Sequence, residues 1–264
     1  MANNSDVYWD VKTLGGSWFS LHTYAWSVKS SGGKRFQAPA KRGEDVQLPY
    51  RPGRLYVPKT RESQLYELNM WVFPTNSDGT RDVVKTVEQK AHENWRRIIA
   101  ALDQEGQFEL RKRWYDDTST KIAPAIRSAT ALAEYVEGTG PDTDDGRSFE
   151  MSVTLTLADP YFYEEETASE PLGGMDPALG EVPTTHVTLT LDPGSTATFS
   201  NGNWIKNNHN TAVVIDCNAA TAKVGTTYVN GKIERNPAFI NWPTLAPGTT
   251  ISGSGTVSYE PAYR

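Results

Sequence analysis

The sequence contains a single cysteine, Cys217, among its 264 residues. One cysteine excludes an internal disulfide bond and any zinc site built from several cysteines, so packing alone must hold the core together. Cys217 is therefore predicted to be a small buried residue rather than a nucleophile. Long apolar runs are also missing, because the longest strictly apolar stretch is Ile98 to Leu102. A membrane-spanning helix needs roughly 18 such residues.

The first residues, Met1 to Asp6, have neither the basic nor the apolar region of a secretory signal. Neither secretion nor membrane insertion is therefore expected. A strong overall charge of either sign is also missing, since the net charge is -6. The charges are nevertheless segregated: Lys29 to Arg61 contains nine basic and two acidic residues, whereas Glu164 to Glu181 contains six acidic residues and no basic one. This pattern argues against nucleic-acid binding along the whole chain.

The usual sequence signatures of catalysis and cofactor binding are absent. Gly33-Lys34 lacks the upstream glycine of a phosphate-binding loop, and no Gly-x-Ser-x-Gly motif occurs. Asp142 to Gly146 resembles the start of a calcium loop, but its glycine comes one position early and Val153 replaces the closing glutamate. None of the four histidines is spaced as a metal ligand of another: His22, His92, His186 and His209. We therefore predict no catalytic, cofactor-binding or metal-binding residue.

One segment has a clear helical pattern. After the turn Asn76 to Gly79, apolar residues recur at spacings of three and four, which predicts an amphipathic helix from Asp82 to Leu102. Asp78 or Thr80 is expected to cap its start, and Gly106 to end it. The stripe that faces the core is predicted to contain Val84, Val87, Ala91, Trp95, Ile98 and Leu102, with Trp95 at its centre.

Most other segments predict strands. Phe149 to Leu157 alternates apolar and polar residues, as a strand with one buried face does. Leu65 to Phe73 and Phe108 to Trp114 are also predicted strands, and Trp18 to Val28 is predicted as one strand that is apolar on both sides. Ala125 to Val136 is compatible with a helix or with a strand and a loop. On the predicted strand, Arg111 and Arg113 share one face and Lys112 lies on the other.

The amino-acid composition changes after Tyr163. Residues 164–185 are acidic and have no apolar periodicity, which predicts a linker or long loop. Short strands and turns follow, with the spacing of a small β-sandwich. The predicted strands are Val187 to Leu191, Ala212 to Ile215, Thr226 to Val229 and Thr256 to Tyr259, with turns at Asn230-Gly231 and Pro247-Gly248. Trp204 and Trp242 raise the alternative of a sugar-binding surface, although core packing is the simpler role for both.

The order of these features resembles one family, the distal tail (Dit) proteins of siphophages, also called minor tail proteins of the tail tip. In the first domain the resemblance depends on the strand Trp18 to Val28, the basic segment Val46 to Arg54 with its Pro-Gly turn, and the elements that follow up to Phe162. In the second domain it depends on Val214 to Asp216, Asn230-Gly231, Trp242 to Ile251 and Val257 to Tyr259.

The resemblance implies a mainly β protein with one amphipathic helix. Residues 1–163 would form a tail-tube-like β-sandwich that assembles into a hexameric ring, and residues 186–264 a galectin-like β-sandwich facing outward. The second segment is short for such a sandwich, so either strands are missing or the predicted linker supplies one.

The same resemblance implies a structural virion protein at the tail tip, without enzymatic activity and assembled in the host cytoplasm. Its ring would join the tail tube protein to the tail-associated or receptor-binding proteins, around a channel for the tape measure protein and DNA. The basic segment is expected to contact the next subunit, through Arg51, Arg54 and Arg61. The alternatives are a carbohydrate-binding or receptor-adhesion module and, third, a hydrolase whose site is built from distant residues.

Overall fold

The structure is a computed structural model. It describes residues 7–33, 41–42, 46–47, 54–55, 60–61, 64–115, 126–140, 148–239 and 241–263. The chain divides into two compact units, unit 1 from Met1 to Phe162 and unit 2 from Tyr163 to Arg264. Strands dominate both units, and the one α-helix among the described residues lies in unit 1. The predicted fold class, mainly β with one amphipathic helix, is therefore confirmed.

Unit 1 contains the helix α1 (Val87–Leu102) and most of the long strands. Its strands are β1 (Tyr8–Lys12), β2 (Trp18–Ser20), β3 (Trp26–Gly33), β4 (Lys41–Arg42), β5 (Val46–Gln47), β6 (Arg54–Leu55), β7 (Thr60–Arg61), β8 (Gln64–Val72), β9 (Phe108–Tyr115), β10 (Ile126–Gly138) and β11 (Phe149–Leu157). The segment that was compatible with either a helix or a strand is thus the strand β10. The predicted strand from Trp18 to Val28 is wrong, because a turn at residues 21–25 separates β2 from β3.

An antiparallel sheet in the order β2-β1-β9-β10-β11-β8-β3 organises unit 1. Alternate residues of its strands point inward, as the period of two predicts. On β11 the buried residues are Phe149, Met151, Val153, Leu155 and Leu157, and on β8 they are Tyr66, Leu68, Met70 and Val72. The opposite face carries polar residues such as Glu67 and Ser152, whose side chains form a hydrogen bond of 2.8 Å.

The two ends of this sheet come together, because residues 21–25 connect β2 directly to β3. The Trp26 indole N–H donates to the carbonyl of Ser20 at 2.9 Å, and the Phe19 and Trp26 rings stack with centroids 5.4 Å apart. His22 and Ser27 form a β-bridge beside them. The sheet is therefore curled, and its interior is filled by large side chains such as Trp9 and Phe162.

Helix α1 starts five residues later than predicted. Thr86 is its N-cap and forms a capping box with Gln89, so neither Asp78 nor Thr80 has that role. Val84 precedes the helix and is 88% exposed. Trp95 is only half-buried, and its indole N–H donates to the Thr139 carbonyl at 3.3 Å, so it is not the centre of the buried face. That face consists of Lys90, Ala91, Asn94, Ile98, Ala101 and Leu102.

The Thr86 cap provides a test of the corrected helix start. Replacing Thr86 by alanine is expected to lower the free energy of unfolding by about 1 kcal/mol, because the Gln89 N–H at the helix start loses its acceptor, the Thr86 hydroxyl. Thr86→Ser keeps the hydroxyl and is expected to have almost no effect. Urea unfolding followed by circular dichroism checks both variants, and equal stability of Thr86→Ala and the parent would contradict the capping assignment.

Unit 2 is built from short strands. Its first strand, β12 (Phe162–Glu164), begins at the unit boundary, and the others are β13 (Ala168–Pro171), β14 (Val187–Leu191), β15 (Thr196–Phe199), β16 (Trp204–Asn207), β17 (Val213–Asp216), β18 (Thr221–Val224), β19 (Thr227–Tyr228), β20 (Ile233–Arg235), β21 (Ile251–Ser252), β22 (Gly255–Tyr259) and β23 (Ala262–Tyr263). Short 3-10 helices occupy Leu172–Gly174 and Asn230–Lys232. The four strands predicted for this domain are thus present, as β14, β17, β19 and β22.

Two sheets of unit 2 share one core, which makes it a β-sandwich. One sheet has the order β13-β22-β14-β17-β18-β19 and the other β20-β16-β15-β21. Leu189, Ile215 and Val257 come from the first sheet and meet Phe199 and Ile205 of the second in one buried cluster. Cys217 lies in this cluster and is buried, as predicted.

The predicted linker, residues 164–185, is part of this sandwich. β13 pairs with β22 over four residues, from Ala168 opposite Tyr259 to Pro171 opposite Thr256. Leu172, Met175 and Ala178 then enter the core cluster. Interpreting this segment as a linker is therefore wrong, and the alternative that it supplies a strand to the second domain agrees with the structure. The apolar residues of the segment lie around a 3-10 helix, so they show neither of the regular periods.

Limited proteolysis tests this correction. Cuts between residues 164 and 185 are expected to be rare, because proteases need several residues of unpaired, accessible backbone. The Pro171 to Val182 stretch is instead held by buried side chains and by the N–H groups of Glu181 and Val182, which both donate to the Ala262 carbonyl. Mass spectrometry of the first fragments checks this. Early cleavage within the segment would restore the linker interpretation.

Candidate assembly surfaces

The basic segment of unit 1 folds back on itself. β5 pairs with β6, and β4 pairs with β7, so the two antiparallel pairs are nested one inside the other. Among the predicted contact residues, Arg54 begins β6 opposite Gln47, and Arg61 ends β7 opposite Lys41, whereas Arg51 lies outside the described residues. Arg54 and Arg61 thus lie on two antiparallel strand pairs, β5-β6 and β4-β7, which together are called the basic hairpin below.

A buried carboxylate organises the polar face of the sheet in unit 1. Asp10 on β1 is 2% exposed and accepts hydrogen bonds from two arginines of β9. Arg113 donates through Nε at 2.6 Å and Nη2 at 2.9 Å, and Arg111 donates through Nε at 3.1 Å. The sequence placed both arginines on one face, which the structure confirms. Asp10 itself was not predicted, because its partners lie about a hundred residues away in sequence.

Aromatic rings extend this cluster towards the edge strand β2. The Arg111 guanidinium lies 3.9 Å from the centroid of the Trp18 ring, and the Lys12 ammonium lies 5.6 Å from it. Lys12 also forms an ion pair of 2.7 Å with Glu109, in which both side chains are more than one-third exposed. Cation–π contacts of this kind stabilise by about 0.5–1 kcal/mol where solvent is near. The cluster therefore fixes β2 against β1 and β9.

A second charged cluster braces the turn before α1. Asp82 accepts hydrogen bonds from the N–H groups of Val84 and Lys85 at 2.9 and 3.1 Å, and these bonds hold the pKa of its carboxyl below the usual value. The buried Lys90 reaches Glu93 at 3.2 Å and Asp82 at 3.6 Å. The turn is thus rigid, although Val84 points into solvent.

Unit 2 separates the two tryptophans that the sequence offered for sugar binding. Trp204 lies on β16 and is half-buried on the polar face of its sheet, next to Thr198 in the cross-strand register. Trp242 packs against the core cluster under the guanidinium of Arg235, 4.7 Å from the ring centroid. Trp242 therefore has the packing role, whereas Trp204 lies half-buried on the outer face of its sheet.

Two other residues that could in principle act in catalysis or metal binding, His186 and Cys217, have structural surroundings instead. His186 stacks on Tyr163 with centroids 4.0 Å apart, and its Nδ1 lies 2.6 Å from Glu260. Burial raises the pKa of the Cys217 thiol to about 12. Within the described ranges, no group of three or more histidine, cysteine or acidic side chains is arranged to hold a metal ion. No helix of the described residues is long and apolar enough to cross a membrane.

The whole chain superimposes on a solved phage protein. The match is to the crystal structure of the Dit protein of phage SPP1, described as a paradigm of the hub adsorption apparatus in phages that infect Gram-positive bacteria. It covers 98% of this chain and 99% of that one, with a TM-score of 0.54 and 12% sequence identity. This is the Dit fold. At this identity the match establishes the fold alone.

Two further solved structures match the chain less closely. Both are chains of the phage p2 baseplate in its activated conformation, one with Sr and one with Ca. They cover 96% and 97% of this chain at 10% identity, with TM-scores of 0.42 and 0.39, and they add nothing to the assignment. No family model and no curated protein matches the sequence. Detection of the Dit fold therefore depends on the order of the elements and on their three-dimensional arrangement.

Proposed function

We propose that this protein is a structural component of a phage tail tip. It assembles as a ring of six subunits that joins the tail tube protein to the tail-associated or receptor-binding proteins, with a channel for the tape measure protein and DNA. The observation that carries the proposal is the end-to-end match to SPP1 Dit, which spans both units without a missing segment. The protein acts in the virion, after assembly in the host cytoplasm, and has no enzymatic role.

Each unit has its own part in this proposal. Unit 1 is the tail-tube-like, ring-forming domain, and unit 2 is the galectin-like sandwich on the outside of the ring. The boundary between them falls after Phe162, and residues 164–185 belong to the sandwich. Unit 1 contains the basic hairpin, whereas unit 2 contains the acidic residues from Glu164 to Glu181. The chain therefore carries two segments of opposite charge, which suits a head-to-tail contact between subunits.

The proposed contact runs through Arg51, Arg54 and Arg61, of which Arg54 and Arg61 lie on described strand pairs. Lys41 lies opposite Arg61 on neighbouring strands, and like charges in opposite positions destabilise a strand pair. An acidic surface of the next subunit would remove this repulsion. Such a contact would therefore stabilise this strand pair on assembly.

Mass photometry of a triple charge-reversal variant tests this contact. In R51E/R54E/R61E the subunit is expected to stay folded by circular dichroism, while the fraction of protein in rings falls at least tenfold. The matched control reverses three basic residues of unit 2, K206E/K223E/K232E, and changes the net charge equally. Its ring fraction is expected to match the parent.

Two outcomes separate the parts of the proposal. Absence of any ring from the parent protein over a wide concentration range would overturn the assembly function. Rings that persist undiminished in R51E/R54E/R61E, at both 0.1 M and 1 M salt, would remove the hairpin from the interface and leave ring formation in place, since charge contacts are screened over about 10 Å and 3 Å at these concentrations.

A further inference from the structure

Unit 1 has an open groove between its edge strand and its helix. The groove has a volume of about 540 Å³, within the range of about 300–1,000 Å³ that small-molecule sites occupy. One wall comes from β2 and the turn that follows it, and the other comes from the last turns of α1. The lining residues are Trp18, Phe19, Ser20, Thr23, Trp26, Ser77, Arg97, Ala100 and Ala101.

The aromatic wall of the groove is held rigidly. The Thr23 hydroxyl accepts hydrogen bonds from the N–H groups of Ala25 and Trp26, at 3.1 and 3.3 Å. The Trp26 indole is fixed to the Ser20 carbonyl, and Phe19 stacks on the Trp26 ring. A ligand would therefore meet a preformed surface and would pay little to order it.

The groove also offers polar groups that are not used elsewhere. Within the described part of the chain, neither the Trp18 indole N–H nor the Ser77 hydroxyl has a hydrogen-bond partner. Arg97 is about half exposed and contacts Glu93 through Nη2 alone, at 3.3 Å. Its other N–H groups are therefore available to an acceptor in the groove.

We propose that this groove binds an anionic saccharide. A sugar ring presents an apolar face, which suits the apolar part of the lining from Trp26, Ala100 and Ala101, and hydroxyl groups at its edge, which suit the Trp18 N–H and the Ser77 hydroxyl. A carboxylate on the sugar pairs with the guanidinium of Arg97, in the charge-assisted geometry that arginine favours. The open shape admits an internal segment of a polymer chain. This activity is additional to the assembly function and does not depend on it.

An apolar protein side chain fits the same groove less well. It would cover the guanidinium of Arg97 and the hydroxyl of Ser77 without providing an acceptor, and buried donors without partners cost about 1–3 kcal/mol each. A neutral sugar satisfies the hydroxyl and the indole but leaves Arg97 without a carboxylate. The lining therefore favours a ligand that combines a sugar ring with a negative charge.

Isothermal titration calorimetry of the full chain tests the proposal with two tetrasaccharides. One consists of alternating glucuronic acid and N-acetylglucosamine, and the other is the neutral cellotetraose. The acidic sugar is expected to bind with a millimolar Kd, and the neutral one about tenfold more weakly. Arg97→Gln is expected to lower the affinity for the acidic sugar by about tenfold, because one charge-assisted hydrogen bond is lost. The affinity for the neutral sugar is expected to stay unchanged.

The helix provides a matched control for Arg97. Arg96 is the next residue, is exposed, and does not line the groove. Arg96→Gln makes the same change in charge and is expected to alter the affinity less than twofold. No binding of the acidic sugar at 20 mM, or equal loss of affinity in Arg96→Gln and Arg97→Gln, would overturn the proposal. A change in ring mass for Arg97→Gln without saccharide binding would instead make the groove a subunit contact.

Discussion

Replacing Asp10 by alanine is expected to lower the free energy of unfolding of unit 1 by about 3–5 kcal/mol, the usual cost of removing one partner from a buried ion pair. Asp10 is almost fully buried and receives three hydrogen bonds from Arg111 and Arg113. Without it, the two guanidinium groups repel each other in a region that excludes most water. Urea unfolding followed by tryptophan fluorescence measures the effect, since six of the eight tryptophans belong to unit 1.

The same two strands provide the control. Glu109 on β9 pairs with Lys12 on β1, on the same face as Asp10, but both side chains are exposed. Glu109→Ala is therefore expected to cost less than about 1 kcal/mol. Comparing the stabilities of Asp10→Ala and Glu109→Ala isolates the effect of burial, because both ion pairs join the same two strands on the same face of the sheet. If Asp10→Ala is no less stable than Glu109→Ala, the buried cluster does not stabilise unit 1.

Asn207 is expected to stabilise unit 2 as Asp10 stabilises unit 1. Replacing Asn207 by alanine is expected to lower the free energy of unfolding of unit 2 by about 2–4 kcal/mol. Its amide nitrogen lies within hydrogen-bond distance of the carbonyls of Leu191, Asp192 and Thr211, between 2.9 and 3.1 Å. Its Oδ1 accepts the N–H of His209 at 2.8 Å. One fully buried side chain thus connects the end of β14 to the loop between β16 and β17, and alanine would leave all four backbone groups without this partner.

The single cysteine reports on this variant. Cys217 is buried in the same sandwich, and burial raises its pKa to about 12, so the folded protein is expected to react with a thiol reagent only when unit 2 opens. Labelling should therefore be at least tenfold faster in Asn207→Ala than in the parent. Asn208→Ala is the control, because Asn208 is exposed and its side-chain amide donates to Glu234 at 3.3 Å, whereas its backbone N–H bond to Lys232 is kept in the variant. Equal labelling rates in all three proteins would contradict the assignment.

The strands with one buried face could be predicted from the sequence because they follow a regular period. The alternation from Phe149 to Leu157 determines β11, and similar patterns determine β8 and β9. The body of α1 follows from the spacing of Ala91, Ile98 and Leu102. The order of these elements was sufficient to suggest the Dit family, whose fold the whole-chain match confirms.

The start of α1 was misplaced because Val84 continues the apolar spacing of the helix by coincidence. A local signal was present, since Thr86 and Gln89 have the spacing of a capping box. Trp95 was misjudged for a different reason. Helical periodicity identifies a stripe, but only packing decides which of its edges is covered, and here Asn94 lies at the centre and donates to the Phe73 and Thr75 carbonyls at 2.8 Å.

The sequence by itself determined the long strands with one buried face, the body of the helix and how charge is segregated along the chain, since these depend on neighbouring residues. Only the tertiary structure decided that residues 164–185 join the sandwich, because Leu172, Met175 and Ala178 become core residues through contacts with distant strands. It also decided that Asp10 meets Arg111 and Arg113. Both depend on pairings across long stretches of chain, and residue spacing carries no information about such pairings.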